Sequence, residues 1–239
     1  MMRDRMKVLL VALGAFTMLA AANDGKRNVE ITSTETIPFE PGGRIRIANS
    51  FGEVKVEGWD RPEVEVTVVR ATNREYSERN QAEARRKLED VKVRLVKESA
   101  AKLRIETQFP DRDLFSRPFR GKTNVNVKYR IKAPANTSFS IDHEVGEVDV
   151  SGVKADIEIS NHIGEVNVKL PRGQEYRANA SVRLGEVNSD LIGTTRRKLL
   201  SHEFVSDERR EGRRLLVRVG IGEINVRREG GREEKGRII

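Results

Sequence analysis

The sequence predicts an all-β fold: a single-stranded β-solenoid, a β-helix-like stack of short coils with one inserted helix. Three observations carry that prediction. One short pattern recurs: Val145-Gly146-Glu147-Val148-Asp149-Val150 returns as Ile163-Gly164-Glu165-Val166-Asn167-Val168, as Leu184-Gly185-Glu186-Val187-Asn188-Ser189 and as Ile221-Gly222-Glu223-Ile224-Asn225-Val226. Phe51-Gly52-Glu53-Val54-Lys55-Val56 is an early copy, and self-similarity of this kind marks a repeat architecture. The glycines then step by 18, 21 and 37 residues, and steps of 18 to 21 leave no room for the helices that cover an open parallel sheet. Finally, aromatic residues make up only 5% of the chain, so a core must be built from Val, Ile and Leu, as stacked strands do.

The alignment extends backwards from each glycine. Phe139, Ile141 and His143 match Ile157, Ile159 and Asn161, then Ala178, Ala180 and Val182, then Leu215, Val217 and Val219. Side chains alternate across a strand, yet Val145 and Val148 are both apolar and three apart. The expectation is two short strands joined at Gly-Glu, with both flanks pointing inward and Ile141, Ile159 and Ala180 in neighbouring layers. Glycine supplies the backbone freedom such a corner needs. Within the 37-residue step, Leu199–Val205 and Gly212 suggest either a coil that has lost its corner or a hairpin.

Residues 1–22 read as an export signal: Arg3, Arg5 and Lys7, an apolar run from Val8 to Leu19, then Ala20-Ala21-Ala22. The run is short of the roughly 20 residues that span a bilayer, so no stable membrane span is expected after cleavage. Residues 23–36 read as a polar linker with a weak first strand, and 37–226 as the solenoid domain. Arg44–Ile47 and Val64–Val68 alternate as strands on either side of a corner at Gly58–Pro62. The interval 73–90 lacks Gly and Pro and is rich in Glu and Arg, which predicts a helix packed through Tyr76 and Leu88. Val91–Leu95 and Leu103–Thr107 predict a hairpin. Phe109–Lys122 reads as a loop whose Phe115 and Phe119 tuck onto the sheet, Val125–Ile131 as a further strand, and 227–239 as a charged tail.

The chain has no cysteine, which excludes disulfides, thiolate metal sites and a lipid-modified cysteine anchor. Its net charge is +8; loss of residues 1–22 removes three cations and one anion and leaves +6. Cations and anions interleave almost everywhere, as on a solvated sheet face, so nucleic acid is not the expected partner.

Glu147, Glu165, Glu186 and Glu223 should stack at one corner, with Glu53 as a fifth member. Stacked carboxylates raise the question of a divalent cation, but a solvated corner is the preferred reading and no metal site is assigned. Asp149, Asn167, Asn188 and Asn225 should form an amide ladder along the stack. His143 falls inward opposite Asn161, His162 outward, and His202 in the irregular step. None of the three has a positioned nucleophile, so no catalytic residue and no cofactor are expected.

The signal segment, the Gly43–Trp59 module with Asn49-Ser50-Phe51-Gly52, the strand Tyr129-Arg130-Ile131-Lys132-Ala133-Pro134 and the Gly-Glu-Val units together resemble the bacterial exported "putative adhesin" family. The resemblance covers roughly residues 30 to 228. It implies a β-solenoid of unknown function with surface attachment and carries no catalytic residues. The expected role is an exported, non-enzymatic interaction surface for an envelope polymer or protein, in the periplasm, on the cell surface or secreted. The alternatives are an envelope-stress sensor partnering a membrane regulator and, third, a carbohydrate-active β-helix enzyme.

Overall fold

The computed structural model describes residues 26–108, 125–206 and 211–230. The expected export segment, the expected loop at 109–122 and most of the expected charged tail lie outside the described residues. The described residues are mostly strand with one helix, arranged as a large mixed sheet that does not close into a barrel.

Strands β1 (Glu30–Pro38), β2 (Arg44–Trp59) and β3 (Glu63–Thr72) precede helix α1 (Glu78–Asp90). Next come β4 (Lys92–Ser99), β5 (Lys102–Gln108) and β6 (Val125–Pro134). The repeats are β7 (Ser138–Ser151), β8 (Ile157–Leu170), β9 (Tyr176–Ser189) and β12 (Arg213–Arg228), and β10 (Gly193–Lys198) and β11 (Ser201–Ser206) lie between the last two. The main hydrogen-bonded order is β1-β3-β6-β2-β7-β8-β12-β9-β11-β10, and β5 joins β2 to β4.

The repeated pattern sets the register. Gly52 pairs with Gly146, Gly146 with Gly164, Gly164 with Gly222 and Gly222 with Gly185, all in parallel strands. Each repeat is one continuous bent strand rather than two short strands joined at a corner. The bend is forced by reach. Fourteen residues of straight strand would extend about 46 Å, whereas the connection from Ser151 to Ile157 spans about 20 Å at most. For β8 to start beside β7, β7 must fold back on itself. Folding back brings the two halves' apolar faces, Phe139 and Ile141 against Val148 and Val150, into one core.

The glycine column has a cause beyond its backbone angle. Gly146, Gly164, Gly222 and Gly185 have φ between +134° and +143°, a region L side chains avoid. Each also lies against the carbonyl oxygen of the glycine one strand back, where a Cβ would fall well inside van der Waals contact.

Three expectations are corrected. The stack is not purely sequential: β12 inserts between β8 and β9, so Val217 separates Ile159 from Ala180. The bulky residue before the glycine does not point into the core. Val145 and Ile163 are half-buried, while Ile221 and Leu184 are 47% and 43% exposed; the alternation slips one residue earlier than the pattern suggests. The helix begins at Glu78, not Asn73, and packs through Ala84 and Leu88, with Tyr76 buried just before it. Of the two forms expected for the 37-residue step, the structure has the hairpin: β10 and β11 are antiparallel, and β11 pairs with β9. In addition, β1 starts at Glu30 and pairs with β3 over its whole length, so much of the expected linker is strand.

Candidate functional site

The bend positions two polar arrays. The first is a ladder along the Glu and Asn columns. Asn167 Nδ2 donates to Glu147 Oε1 at 3.2 Å, Asn225 to Glu165 at 3.1 Å and Asn188 to Glu223 at 2.8 Å. Each amide therefore clamps the carboxylate one strand back. Amides also bond to one another, Asn188 to Asn225 and Asn225 to Asn167. Glu53 sits in register with Glu147 and pairs with Lys128 at 3.3 Å. Burial, then Asp149, Glu165 and Glu53, push the Glu147 carboxyl upward. Among the described residues no group of three or more His, Asp or Glu is placed to hold a metal ion. Of the four stacked carboxylates, Glu147, Glu165 and Glu223 each accept an amide hydrogen bond.

The second array lines a cleft of about 410 Å³ that crosses the strands just before the bend. Asp142 and Glu144 come from β7, Ser160 and His162 from β8, Arg218 and Gly220 from β12, and Arg183 from β9. Ala48, Asn49 and Thr107 close the β2–β5 end. Small residues at Ser160 and Gly220 open the middle, with acids toward β7 and cations toward β12 and β9. Arg46 pairs with Asp142 at 3.1 Å, and Arg218 with Glu158 at 3.7 Å.

Beneath it runs a buried polar column, Asn49, His143 and Asn161. His143 and Asn161 are in register, as the repeat alignment predicts, but they bond backward to glycine carbonyls. His143 Nε2 lies 3.1 Å from Gly52 O, and Asn161 Nδ2 donates to Gly146 O at 3.0 Å. Burial holds the His143 imidazole below its usual range, so it is neutral at pH 7. His143 Nδ1 lies 3.2 Å from Asn49 O and 3.4 Å from Asn49 Nδ2, so both ring nitrogens face backbone carbonyl oxygens and a neutral ring donates to one of them. The Asn161 Oδ1 has no donor among the described residues.

Thr107 Oγ1 donates to Asn49 Oδ1 at 2.8 Å and lies 2.6 Å from the Tyr129 hydroxyl. Burial pushes the Tyr129 phenol up to about 12. This network sits where β2 changes partner, from β5 at Arg44–Ala48 to β6 at Gly52–Trp59. Sequence reasoning missed it, along with the cleft. The available signals were Asn49 following the alternating apolar Ile45 and Ile47, and Gly220 two residues ahead of the repeated Gly222.

A second cleft of about 670 Å³ surrounds Trp59. Its indole is already engaged, by Glu63 O at 2.9 Å and by Arg61 and Lys132 at 5.0 and 5.8 Å from the ring centroid. No helix among the described residues is long and apolar enough to cross a membrane.

No family model and no curated protein matches the chain. A solved structure described as a "putative cell adhesion protein" from Clostridium sporogenes is similar over 83% of this chain and 100% of its own length, at 12% identity and a TM-score of 0.44.

Proposed function

We propose that the chain is an exported, non-enzymatic, adhesin-like interaction module at the cell envelope. In this reading its bent strands wind as the coils of a solenoid, and the cleft before the bend is the contact surface. The observation that carries it is the succession of Asp142, Glu144, Ser160, His162, Arg218 and Arg183 across adjacent strands. Strands lie about 4.8 Å apart, so the cleft offers hydrogen-bonding groups at a short, regular interval. That suits an extended polymer with repeating polar groups, such as an envelope glycan or a polar protein segment. The buried His143 supports a binding role over a catalytic one, because both its ring nitrogens face backbone carbonyl oxygens, Gly52 O at 3.1 Å and Asn49 O at 3.2 Å, and a general base needs a free, positioned nitrogen.

The test is capture from fractionated envelope polymers and proteins at several salt concentrations, comparing the wild-type chain with the double variant Arg183→Ser/Arg218→Ser. The expected outcome is a specific ligand retained by the wild type and lost by the variant. Equal capture by both, or no specific capture at any salt, refutes the proposal.

A further inference from the structure

The β10–β11 hairpin stands apart from the rest of the surface. Every described side chain of β10 is exposed, on both faces. Its tip, Leu199-Leu200, is 101% and 62% exposed, against at most 47% for the bend residues Leu184 and Ile221. The hairpin register brings this tip toward the bend: His202, two residues after Leu200, pairs with Val182, two residues before Leu184. The row before the glycines is half-buried at Val145 and Ile163 and exposed at Ile221 and Leu184, on the two strands nearer the hairpin.

Cations surround these leucines. Residues 193–202 read Gly-Thr-Thr-Arg-Arg-Lys-Leu-Leu-Ser-His, with three cations and no acid. Arg196 lies across the hairpin from Glu203, but Arg197 and Lys198 lie opposite His202 and Ser201, which carry no negative charge. Elsewhere cations meet acids, as in Arg46–Asp142, Lys128–Glu53 and Lys132–Glu65.

We propose that the Leu199-Leu200 tip is a docking point for the surface of an anionic lipid bilayer. The two leucines enter the acyl boundary, and Arg196 and Arg197, both exposed, meet the lipid phosphates. Apolar side chains flanked by a basic cluster are the combination such an interface rewards. A second copy is the poorer occupant, because a two-fold contact repeats the same patch and would set the basic hairpin against itself. The inference stands apart from the cleft and does not depend on what the cleft binds.

The chain has no native cysteine, so Ser201→Cys in the full chain takes a single environment-sensitive dye beside the tip. A dye there reports on the tip alone, whatever the apolar run at residues 8–19 does. Vesicles rich in phosphatidylglycerol should shift the emission to the blue and raise it several-fold, and pure phosphatidylcholine vesicles should not. Adding Leu199→Ser/Leu200→Ser should abolish the response while the melting temperature holds. Adding Arg197→Ser should weaken apparent affinity about fivefold, and the cleft variant Arg218→Ser should leave the response unchanged. No response to anionic vesicles, a response that survives loss of both leucines, or one that appears with rising protein concentration and no lipid would each overturn the proposal, the last in favour of self-association.

Discussion

Substituting Gly164 by Ala separates the two reasons for the glycine column. Gly164 has φ +136°, and its Cβ would collide with the Gly146 carbonyl oxygen. Holding Ala in that backbone region costs about 1–3 kcal/mol. Relieving the collision requires β7 and β8 to part locally, which weakens roughly two inter-strand hydrogen bonds at about 1 kcal/mol each. The expected loss is about 3–5 kcal/mol, a large share of the 5–15 kcal/mol that is typical of a domain. At roughly 2–4 °C per kcal/mol for a chain of this size, the melting temperature should fall by about 6–20 °C. Gly173 is the matched control: its φ is +77°, but nothing lies within 4 Å of a built Cβ. Gly173→Ala should carry only the backbone term, about 1–2 kcal/mol. Thermal and denaturant unfolding followed by circular dichroism measure both. If Gly164→Ala costs no more than Gly173→Ala, the carbonyl contact does not maintain the column and the argument fails.

Three further outcomes follow from the polar arrays. The His143 imidazole is held below its ordinary range by burial, so the unfolded chain takes up the proton first; stability should drop as pH falls below about 6.5. His143→Asn, which copies the Asn161 arrangement one strand on, should flatten that acid limb of the melting curve while the neutral-pH melting temperature is largely kept. Glu147 is shifted the other way, so its ionisation opposes folding as pH rises through its folded value. Glu147→Gln should raise the melting temperature at neutral pH, and the gain should vanish below the ordinary carboxylate range. Asn225→Asp replaces the donor to Glu165 and Asn167 by a like charge; it should cost about 1–2 kcal/mol at pH 7 and recover near pH 4 in denaturant titrations.

The Gly-Glu register and the amide ladder were legible because identical side chains recur at matching positions, and in-register pairing then follows from packing alone. The parallel neighbours β7 and β8 were legible for the same reason. Strand order was not. A 37-residue interval is compatible with a further coil or with a hairpin, and nothing in the spacing tells Ile159 that Val217, not Ala180, will lie beside it. Leu184 and Ile221 misled because the break in alternation was placed at Gly-Glu, whereas the residue before each glycine already lies outside the core. The cleft was hidden because Asp142, Ser160 and Arg218 look like ordinary outward positions until the strands are laid side by side. The Tyr129–Thr107–Asn49 chain joins residues 22 and 58 apart at a partner change that no local pattern announces.

Placing β12 between β8 and β9 has a kinetic consequence. Of the described strands it is synthesised last, yet it sits mid-sheet and fills a slot with two waiting sides. Until it docks, β8 and β9 each present a bare edge, and such edges recruit other chains. A polypeptide stopped at Gly212 should therefore aggregate, where one stopped after Gly230 remains dispersed in light scattering. The native arrangement is withheld until the final strand is released, so a nascent chain stays unlocked for most of its synthesis.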